Sequence, residues 1–130
     1  MMPQCDAIGL VVADMTEAVR FYRRLGLDFP DDAGDHAETE LAGGVQLMLD
    51  TEESIRSFTP DWAPPSGSPR IALAFRFDSP DDVNRTCQEL ADAGYRVARQ
   101  PWDAFWRQRY ASVLDPDGNG VDLYARLPAD

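Results

Sequence analysis

One pattern occurs twice in this chain. The stretch "AIGLVVADMTEAVRFYRRLG" starts at Ala7, and "ALAFRFDSPDDVNRTCQELADAG" starts at Ala72. Each reads as a short apolar strand, an acidic or Ser cap, and an amphipathic helix that closes near a Gly. In the first copy Asp14 caps the helix and Glu17, three residues on, completes a capping box. Met15, Ala18, Val19 and Tyr22 then share one face, and Gly26 stops the helix. In the second copy Ser79 caps, Pro80 suits the first helical position, and Asp82 favours the N-terminal end of the helix dipole. Val83, Cys87, Leu90 and Ala91 form the apolar stripe, and Gly94 ends it. Cys87 is therefore expected in the core.

Strand-like segments follow each helix. After the first come "AETEL" and "GGVQLMLD" (43–50); after the second come "YRVARQP", "RYASVLD" and "NGVDLYA". Gly-Val-Gln-Leu at Gly44 matches Gly-Val-Asp-Leu at Gly120. Between the copies, "SFTPDWAPPSGSPR" (57–70) is rich in Pro, Gly and Ser and reads as a linker or lid loop. The expected organisation is an α+β chain of two βαβββ modules, about 5–56 and 70–127, joined by a linker over 57–69. A lone copy leaves one sheet face uncovered. Pairing two copies predicts a curved mixed sheet with helices outside and a cleft inside.

Size and charge narrow the function. With 130 residues the chain is long enough for one domain with a real core. Its 12 basic residues against 23 acidic ones give a net charge of −11, which repels a nucleic-acid backbone. All the basic residues are arginines, a composition bias. No apolar run approaches the roughly 20 residues of a membrane span. The N-terminal "MMPQCDA" has no basic region followed by an apolar one, so no signal peptide is expected. Cys5 and Cys87 read as reduced thiols, and the expected location is cytoplasmic.

The pattern resembles the vicinal-oxygen-chelate superfamily, the group of glyoxalase I, extradiol dioxygenases, fosfomycin-resistance enzymes and bleomycin-resistance proteins. "VVADMTEAVRFYRRLGL" is similar to the first strand and helix of that group, and "DPDGNGVDLYA" to its last hairpin. "PWDAFWRQRYASVLDPDGN" looks closest to the bleomycin-resistance-like branch. The resemblance implies four inward-facing positions that metal-using members fill with His, Gln and Glu. Here they fall on Ala7, Gln46, Ala72 and Asp122. Two alanines offer no ligand atoms, so no metal and no cofactor is expected. The only histidine, His36, reads as a polar loop residue or a contact at the cleft rim.

Without a metal, Asp122 has three roles open to it. It could bond an arginine such as Arg76 or Arg109, accept a hydrogen bond or a cation from a ligand, or act as a general base. The last makes it the weak candidate for a catalytic residue. Strand parity places Ala7, Gly9, Val11, Gln46, Met48, Ala72, Ala74, Arg76, Asp122 and Tyr124 towards the cleft. Ile8, Leu10, Leu47, Leu73, Phe75, Val121 and Leu123 should pack under the helices. Small residues at 7, 9, 72 and 74 leave room for an organic guest or for neighbouring side chains. Trp102, Phe105, Trp106 and Tyr110 cluster before the last hairpin, and Trp62 lies in the linker. They serve either core and dimer packing or a stacking platform for a flat ligand. Arg107 and Arg109 could meet a carboxylate or phenolate.

No nucleophile–base set and no phosphate-binding Gly loop is present. Asp115, Asp117 and Asn119 lack the length and distal Glu of a calcium loop, and turn chemistry explains them. The expected function is metal-independent binding and sequestration of an aromatic, antibiotic-like small molecule, with drug resistance as the wider implication. The resemblance implies a homodimer. The expected ligand-binding residues are Gln46, Met48, Trp62, Arg76, Trp102, Phe105, Trp106, Arg109, Tyr110 and Asp122, and the reading leans away from catalysis. The alternatives are a glyoxalase-like lyase or isomerase, or a dioxygenase-related enzyme, and an accessory protein of natural-product biosynthesis.

Overall fold

The structure is a computed structural model that describes residues 1–31 and 34–129. Its elements run β1 (Ala7–Val12), α1 (Met15–Leu25), β2 (His36–Glu40), β3 (Gln46–Thr51), α2 (Glu52–Phe58), β4 (Ala72–Arg76), α3 (Pro80–Asp92), β5 (Val97–Ala104), β6 (Gln108–Leu114) and β7 (Gly120–Arg126). The chain divides into two units, Met1–Ser66 and Gly67–Asp130.

The first unit holds a three-stranded sheet in the order β1-β3-β2. β1 runs parallel to β3, and β2 antiparallel. The second holds a four-stranded sheet in the order β4-β7-β6-β5. β4 runs parallel to β7, and the other neighbours are antiparallel. Each unit is thus a mixed sheet with its repeat helix packed on it, which is the α+β architecture read from the repeat.

The helices start and stop where the sequence signals lie. Asp14 accepts the Glu17 N–H at 3.1 Å, and Ser79 accepts that of Asp82 at 3.2 Å. Gly26 takes the left-handed conformation at φ 119°, which costs a side-chain-bearing residue energy but not Gly. The carboxylate of Glu17 holds Arg20 at 2.6 Å. Met15, Ala18, Val19, Phe21, Tyr22 and Leu25 are buried on α1, and Val83, Thr86, Cys87 and Leu90 on α3. Thr86 takes a place in the α3 stripe, and Ala91 lies only half-buried at its margin.

Three differences from the expected plan have local causes. Among the described residues, two strands follow α1 rather than three. The chain leaving Gly26 carries Pro30, which has no N–H for a ladder, and the carboxylates Asp28 and Asp31. Phe29 pins this segment instead, fully buried with its ring 6.2 Å from that of Tyr22. Second, α2 occupies the end of the first module and the start of the expected linker. Thr51 caps it by accepting the Ser54 N–H at 3.1 Å. Third, β5 runs on through Trp102 to Ala104, three residues beyond "YRVARQP". No helix among the described residues is long and apolar enough to cross a membrane.

Candidate functional site

The last hairpin sets the geometry of the second sheet. The Asp115 carboxylate is buried and accepts the N–H groups of Asp117 and Asn119 and the Asn119 side-chain amide, at 2.8–2.9 Å. This closes the turn by side-chain-to-backbone bonding, as turn chemistry requires. Leu114 then pairs with Gly120, Ser112 with Asp122, and Tyr110 with Tyr124. β4 extends the rows, with Ala74 opposite Asp122 and Arg76 opposite Tyr124.

Alternation sorts these residues cleanly. Ala111, Val113, Val121, Leu123 and Ala125 are fully buried on the side that meets α3. Tyr110, Ser112, Asp122 and Tyr124 occupy the other face and keep partial exposure, while Ala72, Ala74 and Arg76 are exposed.

That second face is aromatic. Trp102 pairs with Tyr110 in the β5–β6 register. Trp106, from the hairpin tip, stands edge-to-face with both, at 5.5 Å from Trp102 and 5.3 Å from Tyr110. Tyr110 stacks on Tyr124 at 5.9 Å, and Phe105 meets Trp106 edge-on at 4.8 Å. These separations and tilts are the favoured ones for ring pairs. The tip is a three-residue turn ending on Arg107 in the left-handed region at φ 69°. It fixes Trp106 over the sheet, where its indole N–H donates to Gln108 Oε1 at 2.8 Å. The Arg99 guanidinium lies 4.0 Å from the Trp102 ring centre, a cation–π contact. Trp102 Nε1 is buried without a hydrogen-bond partner among the described residues.

Asp122 sits beside these rings and bonds neither arginine considered for it. Its Oδ2 accepts the Tyr110 hydroxyl and its Oδ1 the Ser112 hydroxyl, each at 2.8 Å. Burial, and then the hydrogen bond to the Asp122 carboxylate, push the Tyr110 phenol up to about 12. Ser112 is a residue of this group that the sequence pattern alone does not single out. Counting outward from the Asp-Pro-Asp-Gly-Asn turn would have found it, because the turn fixes which residue faces Asp122.

Arg109 corrects another expectation. It stands on the opposite face, where Nε donates to Asn84 on α3 at 2.9 Å and a terminal nitrogen meets Asp103 at 3.1 Å. The reason is parity: Arg109 is adjacent to Tyr110, and neighbours in a strand point oppositely. Cys87 is buried as expected, and burial pushes its thiol up, away from the reactive thiolate.

The structure therefore brings Arg76, Trp102, Phe105, Trp106, Tyr110 and Asp122 together in the second unit. Gln46, Met48 and Trp62 belong to the first. Trp62 lies against Arg56, whose guanidinium is 5.1 Å from its ring centre. Gln46 and Met48 share a face with Glu40 and Glu38, their partners on β2. His36 opens β2 rather than lying in a loop. Its Nδ1 is 2.6 Å from Asp50 Oδ1 and its Nε2 is 3.4 Å from Glu38 Oε1. The hydrogen bond to Asp50 outweighs the opposing effect of burial and raises the pKa of the imidazole.

The metal-ligand positions do not form a donor set. Ala7 and Ala72 end in methyl groups, Gln46 offers one neutral amide oxygen, and both Asp122 oxygens already receive O–H donors. Among the described residues, no group of three His, Cys, Asp or Glu side chains is placed to hold a metal ion. The side chains present do not fit the metal centre of metal-using members.

The profile of the Glyoxalase/Bleomycin resistance protein/Dioxygenase superfamily matches residues 4–123. The chain belongs to this superfamily. Solved structures share the fold. A glyoxalase/bleomycin resistance protein/dioxygenase from Nocardioides is 25% identical with a TM-score of 0.77, over 100% of this chain and 87% of that one. A glyoxalase/bleomycin resistance protein/dioxygenase family enzyme from Burkholderia phytofirmans PsJN is 16% identical with a TM-score of 0.83, over 96% and 100%. A glyoxalase-related enzyme from Fulvimarina pelagi is 20% identical with a TM-score of 0.82, over 96% and 89%. No curated protein matches the chain. Superfamily membership holds for binding proteins and enzymes alike, so the role turns on the chemistry of the site.

Proposed function

We propose that the aromatic face of the second sheet binds a planar small organic molecule and sequesters it unchanged. The observation that carries this reading is the run of rings from Phe105 through Trp106 and Tyr110 to Tyr124, on a face that keeps exposure. The exposed methyls of Ala72 and Ala74 border it and leave room beside Asp122. Each ring contact with a flat guest contributes about 0.5–1.5 kcal/mol beyond the area it buries. The family description includes bleomycin resistance proteins, and an antibiotic-like aromatic compound is the ligand class we assign. Cys5 and Cys87 are free thiols, consistent with a reducing cytoplasm.

Titration of the protein with basic, neutral and polycyclic aromatic compounds, read by tryptophan fluorescence, tests the reading. Saturable quenching that Trp106→Ala weakens at least about tenfold is expected. A flat response across the panel would overturn it. A second reading, metal-free acid–base chemistry in a glyoxalase-like lyase or isomerase, draws on the 2.6 Å contact between His36 and Asp50. Mass and chromatographic analysis of the recovered ligand separates the two. Unchanged ligand supports sequestration, and an isomer or cleavage product that disappears in His36→Gln supports catalysis.

A further inference from the structure

The hydrogen bonds around Asp122 give the aromatic face a polarity of its own. A hydroxyl has one hydrogen, and an ionised carboxylate has none. The Tyr110 and Ser112 hydroxyls both donate to Asp122, at 2.8 Å each. Their hydrogens are therefore committed, and what the three groups can still offer is lone pairs. The Tyr110 ring is stacked on Tyr124 and flanked edge-on by Trp106, which restrains the phenol in this arrangement. With its phenol pushed up to about 12, Tyr110 keeps its proton throughout the neutral range. Across β7 from Ser112 the next residue in the row is Ala74, whose methyl adds no polar atom. Of the cations nearby, Arg99 is the β5 partner of Ser112 and turns its guanidinium over the Trp102 ring, and Arg76 lies one row away, opposite Tyr124.

We propose that Tyr110, Ser112 and Asp122 form a donor-selecting subsite that accepts an N–H-bearing group, such as an amide, amine or amidine, on a planar aromatic ligand. An equally shaped group that carries only lone pairs leaves acceptors facing acceptors, and the desolvation of both goes uncompensated. The inference rests on the aromatic face binding a flat molecule, and adds which end of that molecule points at Asp122. Selectivity arises from repulsion as much as from attraction. Ser112 is a specificity-determining residue in this arrangement, because it supplies one acceptor and turns its only donor inward.

The test compares 2-naphthamide with methyl 2-naphthoate, two neutral compounds that share a ring and a carbonyl but differ in the N–H group. Using neutral probes removes the general attraction of an acidic protein for cations. Tryptophan fluorescence titration should show the amide binding about five- to tenfold tighter, the worth of roughly one hydrogen bond. Asp122→Asn brings an amide N–H into the subsite and should reduce the preference to within about twofold. Thermal melting establishes that the variant is folded; if it is not, Ser112→Ala takes its place, with the preference cut two- to threefold by about the loss of one acceptor. Equal binding of the two probes, or a preference untouched in a folded variant, overturns the donor-selecting subsite and leaves the binding face standing. Failure of both probes to bind overturns the subsite and counts against the binding face as well.

Discussion

The two sheets grow from one repeated plan, yet their half-exposed faces carry opposite chemistry. On the first, His36, Glu38, Glu40 and Asp50 surround Met48 and Gln46. On the second, Trp102, Trp106, Tyr110 and Tyr124 share the face with one carboxylate, Asp122, which Tyr110 and Ser112 bond. The buried faces remain alike: Leu47 and Leu49 in one, Val121 and Leu123 in the other, all with no exposed surface. The strand period of two explains this divergence. Alternate residues must pack under a helix, and the residues between them are free to vary. An internal repeat therefore constrains half of each strand and says little about the other half.

The comparison can be broken at several points. Leu47→Ala and Leu123→Ala should each cost about 2–5 kcal/mol in denaturant unfolding, because each empties a sealed position. A small cost in one unit alone would end the claim that the two buried faces are equivalent. Tyr110→Phe should cost about 1.5–3 kcal/mol, the value of a hydrogen bond to a charged group. Its spectroscopic counterpart is a phenol that ionises near pH 12 in ultraviolet titration, above an ordinary tyrosine at about 10. The folded pKa is the higher one, so this stabilisation is complete below about pH 10 and is lost as pH rises through about 12. The smallest effect belongs to His36. Its folded pKa is also raised, so its contribution is complete below about pH 6.5 and fades as pH climbs through the higher folded value. Its side chain is 45% exposed, so solvent screens the contribution and the slope is shallow. His36→Gln should flatten that slope without changing the alkaline transition of the second sheet.

Much of this is legible in the sequence. The caps at Asp14 and Ser79, the stop at Gly26 and the buried thiol of Cys87 follow from local pattern, because capping and periodicity are short-range. Parity along β7 was legible too, which put Asp122 and Tyr124 on one face. The partners of Asp122 were harder to read. Charge suggested Arg76 or Arg109, but pairing across the hairpin brought Tyr110 and Ser112, and adjacency to Tyr110 sent Arg109 to the far side. His36 was hidden for a similar reason. Its bond to Asp50 depends on the β2–β3 register, which a polar, weakly patterned strand such as "HAETE" does not announce.

The small knot at Asp115 acts at a distance. By gripping the backbone of Asp117 and Asn119, it fixes the reading frame in which β6 and β7 zip together. A slip of one notch in either strand would turn that strand's ring or carboxylate down beneath α3 and throw its buried aliphatics outward. The chemistry that the proposed binding face presents is thus set partly by a carboxylate in the turn beyond it.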